Sequence, residues 1–390
     1  MFSKRISDFY NYFFNAESVL SGKRLPWIDY AKGISIFLVV YHHAFLGLKA
    51  AGLTVNTWLI NTNMIVYSFR IPMFFMLSGV FIQQGIRKRG LKNYVKYRAK
   101  ILLYPYLLWA FMEITIGYFL QRYANFPWRA KAYLYVLYDP KLMGPLWYLI
   151  GLFNVSVVYA ILQTKMKLGG LGHLLLGIIL YLLSPALSFN SMLQQFSIFY
   201  VYLAIGNLIS RIILNHNSNR LFSSFKTFLV LLPFFIISQI YFIHHENMDP
   251  FFMGIPDGLF SWSRLLSYDW IAIQYFLIVI IGCMLMANIC FALQQVGRLQ
   301  FLRVIGFHSL YIYLLHMSIV FAVRTIFLYF FHYDNAIVVL SSQIAIACIG
   351  AVMIYNLCKH WGLIFLYEFD LDSLKKAIRF PTVSPKLQKL

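Results

Sequence analysis

Residues 28–43 read Ile28-Asp29-Tyr30-Ala31-Lys32-Gly33-Ile34-Ser35-Ile36-Phe37-Leu38-Val39-Val40-Tyr41-His42-His43, and the apolar character continues to Leu48. About 20 apolar residues carry a helix across a hydrocarbon core, so this stretch predicts a membrane span. It also carries polar groups that lipid does not tolerate without a partner or a cavity. Lys32 and His43 are eleven residues apart, which is roughly 20° past three full helical turns and a rise of about 16 Å. They therefore share a face. Asp29 and Ser35 flank Lys32 at three-residue spacing on the same side, whereas His42 points about 100° away.

The rest of the chain has the same character. Of its 390 residues 61% are apolar and only 12% charged, about half the charged share of a soluble domain. A soluble globular protein is excluded. The net charge of +20 would suggest nucleic acid in a soluble chain, but here the cations sit in short segments between apolar runs, as membrane orientation requires. Cys283, Cys290, Cys348 and Cys358 fall in or at the end of apolar runs, without disulfide or zinc spacing. They read as small core residues. Residues 1–27 lack an apolar segment ahead of a small-residue cleavage site, so the first apolar run is expected to be retained.

Apolar runs bounded by charge or turn residues predict an all-α, polytopic membrane protein with about ten transmembrane helices, near 28–48, 58–83, 101–120, 144–163, 171–187, 192–210, 227–243, 270–293, 305–331 and 336–357. Ten crossings put both termini on one side. That side collects 24 of the 33 Lys and Arg residues, against six opposite and three within spans, which predicts cytoplasmic termini. The acidic loop at 244–269, with Glu246, Asp249, Asp257 and Asp269, falls on the far side. The expected organisation is a cytoplasmic N-terminal segment (1–27), a membrane domain (28–358) and a cytoplasmic tail (359–390). Homo-oligomerisation is left open.

Lys32, His42, His43, Arg70, Glu113 and His316 are ionisable residues within spans. Lys32 can snorkel to the headgroups while His43 bonds a neighbouring helix. Alternatively His43 is a general base, since a neutral imidazole takes a hydroxyl proton near neutral pH. The chain has no Gly-x-Ser-x-Gly elbow, the His42-His43 and His244-His245 doublets lack metal-pair spacing, and no glycine-rich phosphate loop is present. No metal is expected, and an ATP-driven pump is disfavoured.

The first span resembles the signature of acyltransferase family 3, integral membrane enzymes that acylate sugars and other acceptors of the cell envelope. Lys32, Gly33, Val39, Val40 and His43 fit its pattern of a basic residue eleven positions before an essential histidine, with lysine where many members have arginine. Phe69-Arg70-Ile71-Pro72-Met73-Phe74-Phe75-Met76-Leu77-Ser78-Gly79 is similar to the family's second-span segment, with Arg70 where histidine is often found. Arg98-Ala99-Lys100-Ile101-Leu102-Leu103-Tyr104-Pro105-Tyr106 resembles its basic entry to the third span, Ile101 replacing a frequent arginine. Leu146-Trp147-Tyr148-Leu149 is similar to its fourth-span segment. Gly306-Phe307-His308-Ser309-Leu310-Tyr311-Ile312-Tyr313-Leu314-Leu315-His316 fits its late-span pattern, with His308 where asparagine is common.

The resemblance implies transfer of an acyl group, most simply acetyl, from a coenzyme A thioester to a hydroxyl of an envelope polysaccharide or lipid-linked glycan, with no bound cofactor. Transfer is direct or passes through an acyl-histidine. His43 would be the base, and Lys32, Arg98 and Lys100 would meet the phosphates of the donor. Positive-inside bias accounts equally well for Arg98 and better for Lys100. Glu113 would orient a histidine, or else pair with Arg70 or Arg324. Arg70 would hold acceptor or polarise the thioester oxygen, or else bridge to Glu113. Trp147 and Tyr148 could stack on a sugar, although an aromatic belt is the stronger reading. Asp29 supports Lys32, Ser78-Gly79 permits close packing or irregular backbone, and His316 is expected to bond a neighbouring helix rather than act in catalysis. The rival functions are an exporter of a polysaccharide or lipid-linked intermediate, using the same polar stripe as a pore, and a structural membrane subunit without chemistry. Succinyl-coenzyme A in place of acetyl would leave the enzyme class intact.

Overall fold

The computed structural model describes residues 10–21, 24–119, 131–215, 222–245 and 262–370. Among these the chain is helical, without strands. The principal helices are α1 (Pro26–Ala50), α2 (Arg70–Arg98), α3 (Tyr104–Phe119), α4 (Trp147–Lys165), α5 (Gly170–Leu183), α6 (Ser191–Ile213), α7 (Phe225–His244), α8 (Trp262–Val296), α9 (Gln300–Phe307), α10 (Ser309–Thr325) and α11 (Ala336–His360).

Nine stretches of the described residues are long and apolar enough to cross a membrane. One of them, Thr57–Phe119, has 63 residues, a length of about 95 Å if straight and therefore more than one crossing. Gly90 breaks it with φ 69° and ψ 162°, a left-handed conformation that glycine adopts without a Cβ clash. Divided there, α2 and α3 supply two crossings, and ten apolar segments result. The ring of Tyr12 stacks on His360 at 4.3 Å, and Asn356 donates to the Phe13 carbonyl at 2.9 Å. The N-terminal segment thus meets the end of α11, as an even number of crossings requires. The chain is an all-α multi-pass membrane protein.

Several predicted boundaries shift for local reasons. The expected second span, 58–83, is a short helix Thr57–Ile65, a turn, and α2. Pro72 lacks the N–H that would bond the Ser68 carbonyl, so the helix restarts at Arg70. Pro105 likewise cannot donate to Ile101, and a π-helical turn, Ala99–Leu103, precedes α3. The expected ninth span divides into α9 and α10 at His308, where φ is −90° and ψ 10°. The start of the predicted C-terminal tail packs on the bundle. Tyr367 is buried against Tyr311 and Tyr355, and Trp109 Nε1 donates to the Leu366 carbonyl at 2.7 Å. Aromatic burial explains the docking. Residues 371–390, Glu246, Asp249 and Asp257 lie outside the described residues.

α1 is the central helix, packed against α2, α8, α9, α10 and α11. Two glycine crossings set its neighbours. A Cβ on Gly306 would lie 1.8 Å from the Asp29 carbonyl oxygen, and one on Gly33 would lie 2.1 Å from that of Leu302. Gly79 of α2 meets Leu203 of α6 in the same way, and Gly206 of α6 meets Met76. The close packing expected of Ser78-Gly79 is therefore present. α7 at the periphery exposes Phe234, Ile236 and Ile237, a surface suited to lipid rather than water. All four cysteines are buried and free.

Candidate active site

A cavity of about 370 Å³ opens among α1, α2, α4 and α10, within the roughly 300–1,000 Å³ of small-molecule sites. Its wall follows α2 from Arg89 to Phe74, fifteen residues and hence about 22 Å of helix. Lys32, Arg89 and Arg98 line it, and among the described residues no carboxylate does. Arg98 is held by its neighbours. Its Nε donates to the Tyr94 hydroxyl at 3.0 Å and its Nη2 to the Ser78 hydroxyl at 2.5 Å. Arg89 lies over the ring of Tyr97 at 4.1 Å. Lys32 is half-buried on α1 and forms neither of the ion pairs among the described residues. The nearby Asp29 carboxylate is occupied instead by Arg24, at 2.7 and 3.1 Å. Asp29 thus draws a further cation toward Lys32 rather than neutralising it.

Two buried tyrosines, Tyr148 and Tyr313, also line the cavity, and their rings meet at 5.3 Å. Tyr148 is buried against Phe74 and Phe75, so it belongs to the cavity and not to an interfacial belt. Its neighbour Trp147 packs on Phe199 at 5.2 Å and does not line the cavity. The Glu113 carboxyl lies within electrostatic reach of Tyr313. Its Oε1 is buried without a hydrogen-bond partner, and it forms no ion pair with Arg70 or Arg324. Arg324 donates to the Gly47 carbonyl in the last turn of α1 instead, at 2.9 Å, an oxygen that also accepts from the Ala51 N–H.

Three residues past Tyr313 on α10 comes His316, fully buried, with its ring 5.3 Å from that of His43. His43 is half-buried, and its ring contacts are His316 and, at 5.1 Å, His42. His42 Nδ1 bonds Asn63 Oδ1 at 2.9 Å. Arg70 is buried over the ring of Tyr67 at 4.5 Å, and Tyr67 also flanks His42. The expected inter-helix bond of His316 is not formed, because its Nδ1 reaches the Tyr313 carbonyl of its own helix at 2.7 Å. Lys100 stands away from the cavity, 3.9 Å from Glu368.

The structure therefore joins Lys32, Ser78, Arg98 and Tyr148 in one cavity, and sets His316, His43 and His42 in a row of ring contacts that starts at the lining residue Tyr313. Sequence reasoning missed Arg89, Tyr94 and Tyr97 in the wall. The four-residue spacing from Tyr94 to Arg98 was the available signal, since such pairs face each other on a helix.

The family described as "Acyltransferase domain" matches residues 25–356. The chain belongs to this family. The match takes in the whole row of histidines, all three cavity cations and the lining tyrosines Tyr148 and Tyr313. Nodulation protein NolL of Mesorhizobium japonicum (strain LMG 29417 / CECT 9101 / MAFF 303099) is 28% identical over 140 residues, covering 36% of this chain and 36% of that protein. The chain thus aligns with about a third of the length of this curated relative. No solved structure matches the chain.

Proposed function

We propose that the protein is a membrane O-acyltransferase that moves an acyl group, most simply acetyl, from a coenzyme A thioester to a hydroxyl of an envelope polysaccharide or lipid-linked glycan. One observation carries this reading: a cavity lined by Lys32, Arg89 and Arg98, and among the described residues by no carboxylate, is also lined by Tyr313, which lies one turn from the row of histidines. Such a wall suits a phosphate-bearing ligand. Tyr94 and Tyr97 add aromatic faces on which a purine can stack.

In this reading the donor enters from the end that holds the chain termini, which positive-residue bias assigns to the cytoplasm of a bacterial inner membrane. Its phosphates rest on the three cations and its thioester reaches toward Tyr148 and Tyr313. His43 takes the hydroxyl proton as the acceptor oxygen attacks the thioester carbon, and the buried guanidinium of Arg70 adds positive potential on the histidine side. Acceptor arrives from the opposite side of the membrane.

Purified protein is expected to gain thermal stability with acetyl-coenzyme A and not with inorganic phosphate. Surface glycans from cells with the gene are expected to gain the mass of an acetyl group, and a folded His43→Ala protein to lose transfer by at least about 100-fold. Unchanged glycans with and without the gene overturn the reading.

A further inference from the structure

We propose that His316 is a second proton carrier of the transfer reaction, taking the proton that His43 removes from the acceptor and delivering it to the departing thiolate. This inference rests on the acyl-transfer reading above and adds the route by which the leaving group is protonated.

The tautomer of His316 follows from its partner. A carbonyl oxygen only accepts, so the 2.7 Å contact between His316 Nδ1 and the Tyr313 carbonyl requires the hydrogen on Nδ1. In the neutral ring Nε2 then carries the lone pair. That Nε2 is buried and has no hydrogen-bond partner, in a side chain with no exposed surface. A polar atom so placed costs free energy unless it is used. The His43 ring is the nearest titratable neighbour, at 5.3 Å.

The position of His316 complements that of His43. Tyr313 both accepts the Nδ1 hydrogen through its backbone and lines the cavity, with its ring 5.7 Å from that of His316. His316 therefore stands between the donor cavity and His43, while His43 faces His42 on its other side. Transfer leaves a proton at the wrong end of the site. The acceptor hydroxyl loses it to His43 as the new C–O bond forms, whereas the C–S bond breaks on the donor side and leaves a thiolate. Passage of one proton from His43 to His316 Nε2, and from there to sulfur, returns both imidazoles to neutrality and releases a free thiol. The balance is alcohol plus thioester giving ester plus thiol, with no further reactant. Groups facing this pair are His42, Arg70 and His316 around His43, and Tyr313, itself influenced by Glu113, beside His316.

The test compares wild type with His316→Asn and His316→Gln in the intact protein, using acetyl-coenzyme A as donor. Asparagine retains a short donor for the Tyr313 carbonyl, and neither amide can carry a proton. The expected result is a kcat lowered by on the order of 100-fold, with KM for acetyl-coenzyme A and the thermal stabilisation by coenzyme A unchanged. Retained kcat in either folded variant overturns the relay. So does a rise in KM with loss of the stabilisation, which is what a packing role gives. A wild-type protein that transfers no acetyl from acetyl-coenzyme A overturns the acyl-transfer reading itself, and the relay with it.

Discussion

Arg98 Nη2 donates to the Ser78 hydroxyl at 2.5 Å while its Nε donates to Tyr94, so one guanidinium ties the entry of the third span to the middle of α2 inside the cavity. The planar fork is fixed before any ligand arrives, which lowers the ordering cost of binding a phosphate.

Arg98→Ala is expected to raise KM for acetyl-coenzyme A by about 10- to 100-fold, the value of one to two charge-assisted bonds. Arg98→Lys recovers little, because an ammonium cannot make both directed bonds. Ser78→Ala, which frees the fork without removing charge, falls between wild type and Arg98→Ala. Equal KM values across the series exclude a donor role for Arg98.

Lys32 differs from Arg98 in having no such anchors. Lys32→Met is expected to raise KM by about tenfold, and Lys32→Arg to retain function, since a point charge in the wall suffices. Steady-state kinetics at fixed salt checks both. A Lys32→Arg protein as weak as Lys32→Met shows that the ammonium itself is required.

Gly306→Ala acts on the scaffold. The added methyl meets the Asp29 carbonyl at 1.8 Å, backbone against backbone, so α1 and α9 must separate. Overpacking of this kind costs about 1–3 kcal/mol. Thermal melting of the purified protein is expected to shift down, and the lost alignment of Lys32 to lower activity as well. An unshifted melting curve means the crossing is looser than the contact distance implies.

Glu113→Gln tests whether this carboxyl has an ionic partner. With Oε1 buried and unbonded, a neutral amide is expected to fold with equal or higher melting temperature, because burying a charge without a partner is costly. A clear drop in melting temperature reveals an ion pair that forms in the membrane.

Much of this was legible in residues 28–43. The eleven-residue spacing placed Lys32 and His43 on one helical face, and it holds in α1. What spacing could not show is that the two are served by different surroundings: Lys32 opens on the cavity, whereas His43 lies beyond Tyr313 and beside His316. The same limit appears at Asp29, whose sequence position suggests pairing with Lys32 but whose carboxylate binds Arg24. His316 was expected to bond another helix, and its own helix supplied the nearer carbonyl.

Sequence alone determined that the chain lives in a membrane as a set of apolar helices and which family it resembles, because apolar run length and motif spacing are local or one-dimensional quantities. Tertiary structure alone decided which of the many cations share a wall, that among the described residues no carboxylate lines it, and that an imidazole from α10 meets one from α1. Those relations join residues far apart in the chain, as His43 and His316 are, and the close helix approaches at the glycine crossings help to fix them. No pattern along a single helix encodes which face its neighbours turn toward it.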